Sequence, residues 1–368
     1  MYGEKMKVSK IPGLGRFGNF VDDLDLTKIG EDEWSEIGQL HLSGLVTILR
    51  NVKVTKEVFG SLVTKWGDIR PSAYLSKKYK HRYGKDFRWV LEQIEADSPL
   101  IDAEDKFRLK TAVQITEVTK NKIALMKVAG GYTNGLPNGM FATGDLDWHS
   151  NESGTLTFTP GVALMGWNKM VGSSTGFLTT TDYYESVSES FRRELDDMII
   201  IHRFSPGKIN PGAPEDQDRL MNANMCPEDC EIPLVMQSPG GITGLHFSFN
   251  TVNQIKNATM KESTEIFDTI QKGLLIDRYM YDHWYQQDND ICLFDNTITQ
   301  HRRLGYIDGR LAYRLPFDYT HLQTGTYMPY RQEPYKSRYI RQIHEIVKLL
   351  KIRSFRLPPR TFRSYFDL

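Results

Sequence analysis

The chain has 368 residues, with 46 lysines and arginines balanced by 46 aspartates and glutamates, so its formal net charge is zero. This balance argues against a general binder of nucleic acids or membrane surfaces. Three cysteines, an odd number, make a disulfide framework improbable and fit a reducing compartment. The first ten residues are polar and contain no secretory signal, and no apolar run reaches the roughly 20 residues that a membrane span needs. The sequence therefore predicts a cytoplasmic protein.

The first third of the chain combines short strands with helices. Apolar residues recur at helical spacing before a buried apolar run, and Thr55 precedes the next helical stretch as an N-cap residue. Two β-branched runs then flank a polar turn. The predicted elements are strands at 20–26, 45–49, 112–118 and 123–128, and helices at 31–42 and 55–66.

Strands dominate the prediction for the rest of the chain up to residue 320. Residues 148–181 are rich in threonine, glycine and β-branched residues, as sheets are. Residues 238–241 (Ser-Pro-Gly-Gly) predict a hairpin turn between strands at 233–237 and 244–250. Helices are predicted at 183–198 and 261–275, and strands begin near 199, 290 and 309. Many short strands with a few helices indicate an α+β fold, with a double-stranded β-helix (jelly-roll) core flanked by helices.

The predicted organisation is one large domain followed by a tail. The domain covers residues 1–332, and its jelly-roll core lies at about 110–320. Residues 205–227 lack periodicity and predict a long loop, of the kind that often serves function. The tail, residues 333–368, is basic and contains an amphipathic helix near 337–352. We expect this tail to dock on the domain or on another subunit, which makes a homo-oligomer one outcome; an anionic partner is the alternative.

Two histidines and two arginines outline a candidate metal site. His149 is followed two positions later by Asn151, and His301 ends the stretch Phe-Asp-Asn-Thr-Ile-Thr-Gln-His. Two histidines with a nearby oxygen ligand are the protein contribution to a non-haem Fe(II) facial site. Arg310 and Arg314 follow on the next predicted strand, where a guanidinium can pair bidentately with the far carboxylate of a 2-oxo acid. The pattern predicts a metal site beside a site for an organic acid.

These motifs resemble the taurine dioxygenase / 2,4-dichlorophenoxyacetate dioxygenase (TauD/TfdA-like) family of Fe(II)- and 2-oxoglutarate-dependent oxygenases. The resemblance rests on residues 44–50 with the helix after them, on Trp-His-Ser at 148–150 and on Ser-Thr-Gly at 174–176. It continues through 294–301 and the Arg-x-x-x-Arg segment at 310–314. In order and spacing the similarity covers roughly residues 15 to 320.

The resemblance implies an oxygenase that uses Fe(II), 2-oxoglutarate and O2 on a small-molecule substrate, and that releases succinate and CO2. His149 and His301 would be iron ligands, and hydroxylation of an unactivated C–H bond would be the outcome. Arg310 would bind the distal carboxylate of 2-oxoglutarate, whereas Arg314 would share that role or meet an acidic substrate. Thr179 would assist as a co-substrate ligand. The position of the 205–227 loop in the family order is that of a substrate lid.

The chain departs from the family at the third ligand, where Asn151 replaces an aspartate or glutamate. Four interpretations stay open. Asn151 coordinates through its amide oxygen; a bulge brings Glu152 to the metal instead; the position has no protein ligand and leaves room for a halide; or the protein no longer binds iron. The corresponding alternative functions are a degenerate member that binds a ligand without turnover, and a same-fold halogenase or desaturase.

Overall fold

The computed structural model describes residues 6–69, 82–85, 87–121, 123–153, 159–203, 230–319 and 322. The helices are α1 Glu31–Gly44, α2 Lys56–Trp66, α3 Phe87–Glu95, α4 Ala103–Gln114, α5 Thr181–Ser186, α6 Glu189–Asp197 and α7 Met260–Leu274, with a short 3-10 turn at Asp277–Tyr279. The strands are β1 Lys7–Lys10, β2 Asn19–Asp22, β3 Val46–Arg50, β4 Asp68–Ile69, β5 Thr116–Val118, β6 Ala124–Ala129, β7 Tyr132–Thr133, β8 Leu136–Pro137, β9 Leu146–His149, β10 Gly161–Asn168, β11 Ser174–Thr179, β12 Ile199–His202, β13 Cys230–Pro233, β14 Val235–Gln237, β15 Thr243–Leu245, β16 Val252–Ile255, β17 Met280–Trp284, β18 Ile291–Asp295, β19 Thr299–Arg303 and β20 Leu311–Asp318.

Two sheets form the centre of the molecule. The larger has the order β1-β2-β3-β18-β10-β20-β6-β5, with β4 paired to β20. The smaller has the order β17-β11-β19-β9. Strands distant in sequence are neighbours in both sheets, as in a jelly roll. The predicted α+β class with a double-sheet core is confirmed, and the pairing of β14 with β15 confirms the predicted hairpin.

Side-chain alternation divides the larger sheet into two faces. Val162 and Leu164 of β10 pack in one buried cluster with Phe177 of the smaller sheet, so this face points to the space between the sheets. The intervening Ala163 and Met165 pack in a second cluster with residues of α1 and α2. Because alternate residues face opposite sides, every strand of the larger sheet that continues this pattern has one row of side chains directed at the interior.

Helices α1 and α2 cover the outer face of the larger sheet. The Trp34 and Trp66 rings meet edge to face with centroids 5.8 Å apart, and Trp66 Nε1 donates to the Trp34 carbonyl at 2.9 Å. Thr55 accepts a hydrogen bond from the Val58 amide at 3.2 Å, which is the predicted N-cap of α2. Two large aromatic side chains thus bury their apolar area, and the indole N–H of Trp66 stays hydrogen-bonded.

Several predicted elements are wrong in extent. The strands predicted at 20–26 and 244–250 end earlier, at Asp22 and Leu245. Residues 112–114 end helix α4 and are not strand, because Asp102 caps that helix at the Glu104 and Asp105 amides and the helix continues to Gln114. The single helix predicted at 183–198 is two helices, α5 and α6, because Ser188 accepts from the Phe191 amide and starts a new helix. The predicted 205–227 loop and the 333–368 tail lie outside the described residues. Among the helices that are described, none is long and apolar enough to cross a membrane.

Asp295 folds the turn between β18 and β19. Its Oδ1 accepts from the Thr297 and Ile298 amides at 2.9 and 2.7 Å, and its Oδ2 accepts from the Tyr319 hydroxyl at 2.6 Å. Burial raises the pKa of Asp295 from 3.8 to about 6, although these hydrogen bonds lower it. A single buried carboxyl therefore joins the turn before His301 to the end of β20.

We expect Asp295→Asn to remove one pH-dependent component of stability. Between about pH 4 and 6 the folded protein keeps a proton on Asp295 that the unfolded chain has released, so rising pH lowers the free energy of unfolding by up to about 1.4 kcal/mol per pH unit through this group. Urea unfolding of the wild-type protein and the variant across this pH range measures how the free energy of unfolding changes with pH. The wild-type protein should lose more stability than the variant, and parallel pH profiles would contradict the assignment.

Candidate metal and co-substrate site

The two candidate histidines face each other across the smaller sheet. Strands β9 and β19 pair antiparallel with His149 directly opposite His301. The two ring centroids are 4.0 Å apart. His301 is also opposite Phe177 on the other neighbouring strand, β11, so all three side chains share the face that points to the interior. The register brings together two imidazoles that the sequence holds far apart.

His149 has the tautomer that a metal ligand needs. Its Nδ1 lies 2.7 Å from the Asp147 carbonyl oxygen, and an imidazole that donates there has a lone pair on Nε2. Burial lowers the pKa of His149 to about 4; the Asp147 carbonyl opposes this shift, and Arg314 and Arg303 add to it. The ring is therefore neutral at neutral pH, as coordination requires.

His301 is equally buried and carries an unsatisfied nitrogen. Burial, followed by His149 and Arg314, holds the pKa of His301 well below its usual value. Its Nδ1 has no hydrogen-bond partner among the described residues. The ring packs 4.7 Å from that of Phe294, which lines the apolar cluster between the sheets. A neutral imidazole with a buried unpaired nitrogen suits a cation ligand, since burying a polar atom without a partner is unfavourable.

Asn296 anchors the backbone of Asn151. The Asn151 amide donates to Asn296 Oδ1 at 2.8 Å, and Asn296 Nδ2 donates to the carbonyls of Asn151 and Thr159 at 2.8 and 2.9 Å. Nearby, Gln300 Nε2 donates to Ser150 Oγ at 3.0 Å. The stretch that supplies His301 thus also fixes the segment immediately after His149, and Asn296 is a functional residue that the motif contained without revealing its contact.

Asn151 and Glu152 lie in a turn, because β9 ends at His149. Glu152 has a φ of +62°, which is uncommon for a residue other than glycine and differs from the extended backbone that strand alternation assumes. Both side chains reach the same partner. Arg314 Nη1 donates to Asn151 Oδ1 at 3.3 Å, and Nη2 donates to Glu152 Oε1 at 3.0 Å. The expectation that strand alternation continues past His149 is therefore wrong. Both residues nevertheless contact the Arg314 guanidinium.

The residues fit a two-histidine metal site with a neutral third position. In the part of the chain that is described, no three histidine, cysteine, aspartate or glutamate side chains cluster so as to hold a metal. The carboxylate of Glu152 is instead engaged by Arg314. The facing imidazoles of His149 and His301, with the Asn151 amide oxygen nearby in sequence, provide nitrogen and oxygen donors of the kind that Fe(II) accepts.

Arg310 is a buried guanidinium without a carboxylate partner in the described residues. It comes immediately before β20, an even number of residues from Ala312 and Arg314, so all three face the interior. Its Nε donates to Ser173 Oγ at 2.9 Å, and its Nη1 has no partner. Burial lowers the pKa of Arg310, and Tyr285 raises it. A buried positive charge without a counter-ion is energetically unfavourable, and an anionic ligand would compensate it.

A hydroxyl pair lies on the Arg310 side of the site. Thr175 Oγ1 is 2.9 Å from the Tyr285 hydroxyl, and Tyr285 interacts electrostatically with Arg310. Thr179, the threonine chosen from the sequence, is on the same strand, and its buried hydroxyl has no partner among the residues described. The Ser-Thr-Gly segment was the available signal for Thr175. Tyr285 carried no signal, because its role arises from a contact distant in sequence.

Arg303 holds the segment that leads to His149. Its Nη2 donates to the carbonyls of Phe141 and Thr143 at 3.0 and 3.3 Å, and also to that of Gly144. Burial lowers the pKa of Arg303 to about 9. Three carbonyls on one guanidinium fix this approach segment against β19.

The chain is similar to a known protein family and to solved structures. The sequence model of the "Taurine catabolism dioxygenase TauD, TfdA family" matches residues 8–315. A crystal structure of a taurine dioxygenase from Burkholderia xenovorans is similar at 16% identity with a TM-score of 0.55, and the match covers 85% of this chain and 89% of that one. The structure of AAD-2 in complex with Mn(II) and N-oxalylglycine is similar at 14% identity with a TM-score of 0.55, covering 85% of this chain and 97% of that one.

No functionally curated protein matches the chain. At these identities the two solved structures establish a shared fold. The family match extends over most of the chain and includes both histidines and both arginines. The protein belongs to the TauD/TfdA family and is thereby an Fe(II)- and 2-oxoglutarate-dependent dioxygenase.

Proposed function

We propose that the protein hydroxylates an unactivated C–H bond of a small molecule, with Fe(II) held by His149, His301 and Asn151. The observation that carries the proposal is the facing histidine pair beside the uncompensated Arg310. Bound Fe(II) would supply O2 activation coupled to the oxidative decarboxylation of 2-oxoglutarate to succinate and CO2. The chain positions the reactants and excludes water from a site enclosed by two sheets.

Asn151 is the favoured third ligand over Glu152. The Glu152 carboxylate is committed to an ion pair with Arg314, and release would leave a buried guanidinium uncompensated. The Asn151 backbone is fixed by Asn296, and Asn151 Oδ1 accepts a 3.3 Å hydrogen bond from Arg314 Nη1 that can be lost without leaving a buried charge uncompensated. An open position for a halide is less well supported, because residue 151 has a side chain with a donor oxygen.

Arg310 is the arginine that we assign to the distal carboxylate of 2-oxoglutarate. Its charge is uncompensated among the described residues, whereas that of Arg314 is paired. Thr175 supports the same end of the co-substrate, because it is linked through Tyr285 to Arg310. Thr179 remains the alternative from the sequence. The related structure with Mn(II) and N-oxalylglycine supports this choice of cofactors.

Anaerobic addition of Fe(II) and 2-oxoglutarate should produce a weak visible metal-to-ligand charge-transfer band. His301→Ala should abolish the band, and Asn151→Ala should weaken Fe(II) binding by about tenfold or more, because each removes a donor atom. Titration with Fe(II) at fixed 2-oxoglutarate measures both effects. A folded wild-type protein without the band would indicate a degenerate binder, and loss of the band in Glu152→Ala with retention in Asn151→Ala would transfer the ligand role to Glu152.

Asn296→Ala should lower metal affinity although Asn296 is not a proposed ligand. The change removes three hydrogen bonds that hold Asn151 and Thr159, so we expect about 1–3 kcal/mol lower stability. Mutation of a residue that orients a metal ligand typically lowers metal affinity by about 10–100-fold. Mn(II) titration and urea unfolding measure the two effects. Asn121→Ala, which removes hydrogen bonds to Ser61 and Glu57 away from the site, is the control; equal Mn(II) affinities for both variants would refute the anchoring role.

Arg310→Lys should raise the Kd for 2-oxoglutarate by about 100-fold while leaving Fe(II) affinity nearly unchanged, because lysine cannot make the bidentate contact. Arg302→Lys, at an arginine paired with Asp282 on the smaller sheet, controls for loss of a guanidinium. The charge-transfer band reports binding of the co-substrate. A larger loss in Arg314→Lys than in Arg310→Lys would reverse the assignment of the two arginines.

A further inference from the structure

The ion pair between Glu152 and Arg314 is not used by the proposed chemistry. Arg314 Nη2 lies 3.0 Å from Glu152 Oε1, and the two side chains are only 8% and 14% exposed. Charges that are this deeply buried are retained when a partner of opposite sign compensates them. Arg314 is therefore already supplied with its counter-ion before any ligand arrives.

Arg314 nevertheless borders the reaction space. Its side chain acts electrostatically on both His149 and His301, and its Nη1 donates to Asn151. Its Nε has no partner in the described structure. A substrate group beside the histidine pair would meet this guanidinium, and would also meet the carboxylate of Glu152 behind it.

The family pattern has a carboxylate at the position of Asn151, whereas this chain has a carboxylate at the next residue, Glu152. Asn151 is neutral, while Glu152 brings its negative charge to Arg314. The two arginines of the site consequently differ: the described residues compensate Arg314 but not Arg310. An anion is attracted to an uncompensated guanidinium, and it is repelled by a carboxylate that already occupies the partner position.

We propose that Glu152 determines substrate class, so that the substrate group lying against Arg314 is uncharged and polar, such as a hydroxyl, amide or carbonyl, and not a carboxylate or sulfonate. That the bound group belongs to a substrate rests on the proposed function. The compensation of Arg314 by Glu152 is independent of that function, because both residues belong to the chain itself. The family resemblance implies two alternative roles for Arg314, a share in binding the co-substrate or contact with an acidic substrate, and the proposal departs from the second.

Two small probes of the same shape test the charge preference. Methanesulfonate is an anion and dimethyl sulfone is its neutral counterpart. Ligand-observed NMR titration of their methyl resonances, on the full chain with Mn(II) and saturating 2-oxoglutarate so that Arg310 is occupied, gives the affinity for each. The wild-type protein should not prefer methanesulfonate. Glu152→Gln should bind methanesulfonate about tenfold or more tightly than wild type, because it leaves Arg314 uncompensated, and should bind dimethyl sulfone as before.

Matched variants identify the origin of the gain. Glu185→Gln removes the same charge from an exposed ion pair with Arg16 and should change neither affinity. Adding Arg314→Gln to Glu152→Gln should cancel the gain. If Glu152→Gln does not fold, the double variant, which removes both charges of the buried pair, should bind methanesulfonate at the wild-type level.

Three results would overturn the inference. They are a wild-type preference for methanesulfonate when 2-oxoglutarate is bound, no gain in folded Glu152→Gln, or weaker methanesulfonate binding in the double variant than in wild type. The proposed function is judged separately by the charge-transfer band. A gain in anion binding without that band would refute the oxygenase chemistry while leaving the role of Glu152 intact.

Discussion

The antiparallel pairing of β9 with β19 is the constraint on which the site depends. It sets His149 opposite His301 and directs both rings into the space between the sheets. Because side chains alternate along a strand, a slip of one residue would turn either ring to the opposite face. Contacts beyond the strands stabilise this register: Asn296 and Gln300 tie the stretch before His301 to the segment after His149.

Charge is distributed unevenly over this site, and the distribution is chemically informative. The two histidines are neutral because of burial, Arg310 has no carboxylate partner in the described residues, and Arg314 shares its charge with Glu152. A dianionic co-substrate is thus attracted to one end of the site. The other end is close to electrical balance, because Glu152 compensates Arg314.

Local sequence signals located most elements, and they singled out the two histidines that the structure places opposite each other. Thr55 was identifiable because an N-cap acts on an amide three residues away. The failures have two physical origins. Residues 112–114 come shortly before the β-branched residues of β5, but the helix that Asp102 starts continues through them. The third-ligand segment leaves the strand after His149, so alternation could not place Glu152. Tyr285 could not be predicted from the sequence, because its contact with Thr175 joins residues distant in sequence.

The distance in sequence between the two imidazoles has a consequence for biosynthesis. A chain still on the ribosome contains β9 long before β19 has been translated, and a pairing of such high contact order forms late in folding. Until then His149 is an isolated imidazole, without the preorganised second donor that gives a metal site its affinity. A nascent chain that lacks β19 therefore cannot form this metal site, and metal uptake would indicate that β9 and β19 have paired.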